Sequence, residues 1–192
     1  MANLVLASSS PYRRALLDRL GIPFEHAAPE VDETPRAGET AEQLTLRLAL
    51  DKARALAGRY ADHLIIGSDQ VLLLDDQAVS KPGTHAAATD QLRRCSGRTV
   101  QFTTSLCLLN SATDHYQLTS EPFMASFREL DDDSIERYLQ REQPYDCAGS
   151  FKMEGLGISL FRALRGDDPN SLIGLPLIRL CEMLREEGVQ LP

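Results

Sequence analysis

Residues 4–17, LVLASSSPYRRALL, decide the fold. The first four are a short apolar run of the kind that forms a buried strand. Ser10 then offers a side-chain oxygen as an N-cap, and Pro11, with no backbone N–H to lose, fits the first helical position. Ala15, Leu16, Leu17 and Leu20 continue the helix, and Gly21 ends it. A strand, a serine-rich loop and a helix in succession predict an α/β protein.

The pattern extends outward from there. Residues 24–28 read as a second strand and residues 29–39 as an acidic loop. Thr40 and Gln43 have capping-box spacing, so a helix is expected from there to about Tyr60. Residues 64–67 form an apolar strand that delivers Ser68, Asp69 and Gln70; residues 71–74 continue it, and residues 75–77 (DDQ) read as a hairpin turn. Lys81 precedes Pro82 and Gly83 in a break, and Thr84 caps a helix ending near Gly97. Residues 99–109 and 115–128 read as paired strands about a turn at Asn110 and Ser111. The acidic run 131–133 opens a helix through Ile135, Tyr138 and Leu139 that Pro144 stops. Residues 149–157 are punctuated by glycine, residues 166–170 form a loop, and a final helix is expected over about 171–187. Crossovers interleaved with hairpins predict a mixed sheet.

The length of 192 residues fits one domain or two small lobes. The net charge of −8 argues against a broad basic face, and so against a nucleic-acid partner. No apolar run approaches the length of a membrane span, and the N-terminus lacks the basic segment and long apolar stretch of a secretory signal. Cys95, Cys107, Cys147 and Cys181 form no CxxC pair and have no His at zinc spacing, so reduced, mostly packed thiols in the cytoplasm are expected.

Several residues stand where chemistry is done. A helix N-terminus carries partial positive charge, yet the first turn here holds Arg13 and Arg14. Either an anion sits among them, joined by free backbone N–H groups and the Ser8 hydroxyl, or both arginines reach into solvent. Asp69, just beyond a buried strand, is placed to hold a metal or orient water, though Asp is also a common strand terminator. Glu30, Asp32 and Glu33 offer further hard oxygens or form a solvated loop. Lys52 lies among Ala49, Leu50, Ala53 and Leu56, where a lysine more often snorkels outward. Lys81 is aimed by the proline that follows it. Lys152 and Glu154 sit between small residues that allow close backbone approach.

Six segments in order resemble the Maf family of nucleotide pyrophosphatases: 6–17 (LASSSPYRRALL), 48–53 (LALDKA), 66–70 (IGSDQ), 80–83 (SKPG), 149–157 (GSFKMEGLG) and 166–177 (GDDPNSLIGLPL). The resemblance implies a single domain over residues 1–192 with a fold like that of inosine triphosphate pyrophosphatases, an elongated mixed sheet in two lobes with a central cleft. It also implies water attack on the α-phosphorus of a nucleoside triphosphate, assisted by a divalent cation (Mg²⁺ or Mn²⁺). Asp69 matches the catalytic base, and Ser8, Arg13, Lys52 and Lys81 match phosphate-contacting positions. Glu33, with Asp69, is assigned to the metal. Tyr12, Gln70 and Glu154 resemble the branch that takes 7-methyl-GTP, whose cationic base suits an aromatic face and a carboxylate. A cytoplasmic homodimer is also implied. Two other readings are open. One is an enzyme for dTTP, UTP or another nucleotide; the other is a division regulator acting through protein contacts.

Overall fold

The computed structural model describes residues 3–75, 77–79 and 81–191. Asp76 in the expected hairpin turn and Ser80 in the SKPG break lie outside the described residues. The chain runs β1 (Asn3–Ala7), α1 (Pro11–Asp18), β2 (Glu25–Ala27), α2 (Ala41–Ala57), β3 (His63–Leu74), β4 (Gln77–Val79) and α3 (His85–Cys95). It continues through β5 (Thr99–Asn110), β6 (His115–Phe127), α4 (Asp132–Glu142), β7 (Phe161–Arg165) and α5 (Leu177–Glu186). The strands form one seven-stranded sheet in the order β2-β1-β3-β5-β6-β7, with β4 paired to β3. β1 is parallel to β2 and to β3, and the remaining pairs are antiparallel, so the sheet is mixed as expected.

The helix starts follow from local chemistry. Ser10 Oγ accepts from Arg13 N at 3.3 Å, and Thr84 Oγ1 from Ala87 N at 3.2 Å. Thr40 and Gln43 close a reciprocal capping box, at 3.2 Å and 2.9 Å. The carboxylate of Asp131 accepts from Ser134 N at 2.6 Å. Each bond satisfies a donor that the first turn would otherwise leave unpaired.

Side-chain alternation along β3 divides the molecule. Leu64 and Ile66 pack with Leu16, Leu17, Leu180 and Leu184 in one apolar cluster, whereas Leu72 and Leu74, on the same face, belong to another with Leu92, Phe102, Phe127 and Leu139. Between them Ser68 and Gln70 turn toward the segment 171–174. β3 therefore runs through both lobes, and its polar middle forms the waist. Ile65 and Gly67 face α2, where a cluster with Ala49, Ala53 and Leu56 covers the other side of the sheet.

Some boundaries differ from the sequence expectation. Asp69 lies within a continuous strand rather than beyond its end, because β5 pairs with β3 on both sides of it, Ser68 opposite Leu106 and Gln70 opposite Thr104. The final helix does not begin near Ser171. Pro169–Ile173 form a 3-10 turn, Gly174 takes a left-handed φ of 113°, and the helix starts at Leu177. Asp168 produces this break. One of its carboxylate oxygens accepts from Asn170 N at 2.8 Å, and the other from Ile178 N at 2.7 Å, so a single buried side chain caps both pieces.

Gly67 is required by proximity. A Cβ there would lie 2.0 Å from Ala49 O and 3.0 Å from Ala53 N, both backbone atoms of α2. Gly67→Ala is expected to lower unfolding free energy by about 3 kcal/mol or more, since backbone yields less readily than a side chain. Chemical denaturation measures this; a change within roughly 0.5 kcal/mol would show that α2 can retreat without cost.

Candidate active site

The site grows from the close approach of α2 to β3. On α2 the buried positions Thr45, Leu48, Ala49, Lys52, Ala53 and Leu56 recur at helical spacing, so Lys52 falls on the stripe that faces the sheet. On β3 Asp69 shares a face with Ile65 and Gly67, which points it at that stripe. Lys52 is 6% exposed and Asp69 9%, and their Nζ and Oδ1 atoms meet at 2.6 Å. Glu33, from the acidic loop, brings Oε1 to 2.7 Å from the same Nζ. One ammonium thus gathers two carboxylates, one buried and one largely exposed.

Arg13 approaches from α1. Its Nε donates to Gly174 O at 2.8 Å, and Ser68 Oγ donates to the same carbonyl at 2.9 Å. Gly174 can present that carbonyl because its φ of 113° is open to glycine, and a Cβ would sit 3.2 Å from Arg13 Nε. Arg14 takes the other option left by the sequence: it reaches outward, with Nη1 3.2 Å from His26 Nε2.

Electrostatics tie these groups together. Burial pushes the Asp69 carboxyl above its ordinary range, outweighing the attraction of Lys52 and Arg13, while Glu33 adds to the rise. Burial also raises Glu33, but Lys52, Lys81 and Arg13 win and hold it below its ordinary value. Arg13 is lowered by burial, against the fields of Asp69 and Glu33. Four residues from four segments, Arg13, Glu33, Lys52 and Asp69, therefore feel one another, and Lys81 joins them through its field on Glu33.

A cleft opens beside them. Ser10, Tyr12, Arg13, Gln70, Lys81 and Glu154 line it, together with residues 146–148, 151–153 and 172–173. The larger surface hollow under Val31, Pro35 and Arg47 holds none of the residues that converge on Asp69. Ser8 lies beneath the loop, buried, with Oγ accepting from Ser10 N at 3.1 Å. Gln70 lines the cleft, but its Nε2 donates to Ser171 O at 2.7 Å, Thr104 Oγ1 at 2.9 Å and Leu172 O at 3.2 Å. Its amide fastens the 171–172 turn to the sheet. Glu30 and Asp32 take no part in this ion-pair cluster; Asp32 instead turns its own loop, accepting from Thr34 N at 2.9 Å.

Sequence reasoning passed over Asp146. The Tyr12 hydroxyl lies 3.3 Å and 3.4 Å from its carboxylate oxygens, and both residues line the cleft. The only local signal was an acid two residues after Pro144, at a break between elements.

Fold and site define the class: an α/β protein whose mixed sheet carries a buried carboxylate and gathers cations around it at a cleft. A family model described as "Maf-like protein" matches residues 3–187, and the chain belongs to the Maf family. Two curated relatives, each named 7-methyl-GTP pyrophosphatase, align over 100% of both chains. One from Pseudomonas aeruginosa (strain PAO1) is 58% identical, and one from Pseudomonas savastanoi pv. phaseolicola is 59% identical.

The opposite shifts of the two carboxyls have opposite consequences for stability. Asp69 binds its proton more tightly when folded, so its contribution is fully present below the unfolded value near 3.8 and is lost as pH rises through the folded value. Glu33 contributes above its unfolded value near 4.5 and loses that contribution as pH falls through the folded value. Melting temperatures from about pH 3 to pH 7 are expected to show Asp69→Asn gaining on the wild type as pH rises, and Glu33→Gln losing ground. Parallel curves for the three proteins would contradict the assigned shifts.

Proposed function

We propose that this protein is a nucleoside triphosphate pyrophosphatase that hydrolyses 7-methyl-GTP to 7-methyl-GMP and diphosphate. The observation that carries this reading is the meeting of Asp69, Glu33 and Lys52, within the field of Arg13, beside a cleft that Arg13 and Lys81 line together with Tyr12 and Glu154. Full-length relatives that carry the activity in their names support it.

In this mechanism Arg13 and Lys81 bind the phosphate chain and offset the charge that builds on the departing diphosphate. Ser8 and the N-terminus of α1 add hydrogen-bond donors. Asp69 orients the attacking water and accepts its proton; burial raises its basicity, which suits that task. Lys52 holds Asp69 and Glu33 at a fixed separation, so the water meets a preset carboxylate. Tyr12 and Glu154 receive the base, and Gln70 keeps the floor of the cleft in place.

Asp69 and Glu33 fit a divalent cation. They are hard oxygen donors that already converge on a positive charge, the Lys52 ammonium. Among the described residues no group of three or more His, Cys, Asp and Glu forms a protein-only ligand set. Two carboxylates with substrate phosphates completing the shell is the usual arrangement for Mg²⁺. Such a cation supplies Lewis acidity and a lowered pKa for water.

The same reading includes a cytoplasmic homodimer without a nucleic-acid partner. The net charge of −8 supports the last point. Among the described residues no helix is long and apolar enough to cross a membrane. Burial pushes the Cys95 thiol up to about 11 and the Cys107 thiol up to about 12, which suits inert packing residues.

Hydrolysis in ¹⁸O-water tests the reaction. The label is expected in 7-methyl-GMP, with diphosphate unlabelled; label in the diphosphate would move the attack to the β-phosphorus. Chelation of divalent cations and Asp69→Asn are each expected to lower turnover by roughly 10²–10⁴-fold. A panel of methylated and unmethylated triphosphates ranks the substrates, and a folded Asp69→Asn protein with normal turnover would remove that residue from the mechanism.

A further inference from the structure

The cleft contains an acid that the phosphate chemistry does not use. Asp146 follows α4, on the segment leading to the turn at Ala148–Ser150. Its carboxylate accepts from the hydroxyl of Tyr12, with Oδ2 at 3.3 Å and Oδ1 at 3.4 Å, although the two residues are 134 positions apart in sequence. Burial, followed by the neighbouring Cys147 and Asp146, pushes the Tyr12 phenol well above its ordinary range, so the hydroxyl keeps its proton and acts as a donor. A phenol that donates to a carboxylate leaves its ring face richer in electrons, which strengthens attraction for a cation.

The protein already puts a cation on that face. Lys152 Nζ lies 5.9 Å from the centroid of the Tyr12 ring. The ammonium has another anchor: it donates to Glu142 O at 3.1 Å and lies 3.9 Å from Glu142 Oε1. An incoming cationic group takes the ring as the Lys152 ammonium moves off it, and Glu142 remains beside Lys152 as its anion. Glu154 adds a further carboxylate to the cleft, but Asp146 is the acid bonded to the ring itself.

We propose that Asp146 is a specificity-determining residue which, with Tyr12, makes an anionic aromatic face that selects a nucleobase bearing positive charge over its neutral counterpart. The inference rests on the pyrophosphatase reading above and assigns base selection to a residue outside the phosphate-binding set. Lys152 occupies part of the same face in the free protein and holds the place of the charged base.

Asp146→Asn is the informative variant, because the amide oxygen still accepts from Tyr12 and only the charge is lost. Steady-state kinetics are measured for 7-methyl-GTP and GTP at low and high salt. For 7-methyl-GTP, kcat/KM is expected to fall by roughly tenfold, mainly through KM, with GTP changed less than about twofold. Salt is expected to weaken the preference of the wild type and to leave that of the variant nearly unchanged. Tyr12→Phe, which keeps the ring and drops the hydrogen bond, is expected to lose part of the same preference. It serves as the second variant if Asp146→Asn does not fold. A purely structural role would lower both substrates alike. A wild type that prefers 7-methyl-GTP, with the preference intact in the variants, overturns this inference and leaves the pyrophosphatase reading standing. A wild type inactive on every triphosphate overturns that reading, and this inference with it.

Discussion

The site depends on how closely α2 lies against β3. Helices ordinarily stand off a sheet by the thickness of the side chains between them. Here Gly67 on the strand and Ala49 and Ala53 on the helix remove most of that thickness. Lys52, one turn along, then spans the remaining gap and meets Asp69 at 2.6 Å. Breaking such a pair from one side leaves a buried charge without its partner, which is strongly destabilising. The contact is thus a structural constraint as well as a chemical one. It holds a carboxylate in a place that water alone would not stabilise.

The waist of the molecule supplies the second constraint. Ser68 and Gln70 alternate with Asp69 along one strand, so they face the other way and hold the 171–174 segment. That segment returns the favour through Gly174 O, which fixes Arg13. Asp168 keeps the turn separate from α5 by capping both. The Asp69 carboxylate and the side chains of Ser68 and Gln70 therefore occupy opposite faces of the same few residues. Such an arrangement resists independent drift of the carboxylate and the arginine, and precise positioning is where much of the catalysis of phosphoryl transfer resides.

Much of this was legible in the chain. The caps at Ser10, Thr40, Thr84 and Asp131 act within three residues of themselves, so local chemistry alone reveals them. The inward turn of Lys52 was also readable from its spacing with Leu48, Ala49, Ala53 and Leu56, although the general tendency of lysine pointed outward. The expected last helix starts too early because the apolar run from Leu172 to Leu180 outweighed Gly174 and Pro176, two local breakers that mark the true start at Leu177. For Asp69 the sequence allows both a place just beyond an apolar strand and a link to its continuation at residues 71–74, and only the pairing with β5 puts it inside one strand. An acid in a strand is tolerable only where a cation lies opposite, and that cation belongs to another element.

By itself, the sequence determined the elements, their order, the faces they bury and the set of charged residues placed at their breaks. These rest on interactions between near neighbours and on the periods of helix and strand. Only the tertiary structure decided which distant groups meet: Arg13 with Gly174 across 161 positions, and Tyr12 with Asp146 across 134. Such pairings depend on the packing of the two lobes against the waist, and packing is a property of the whole chain, with no signature in any one segment of it.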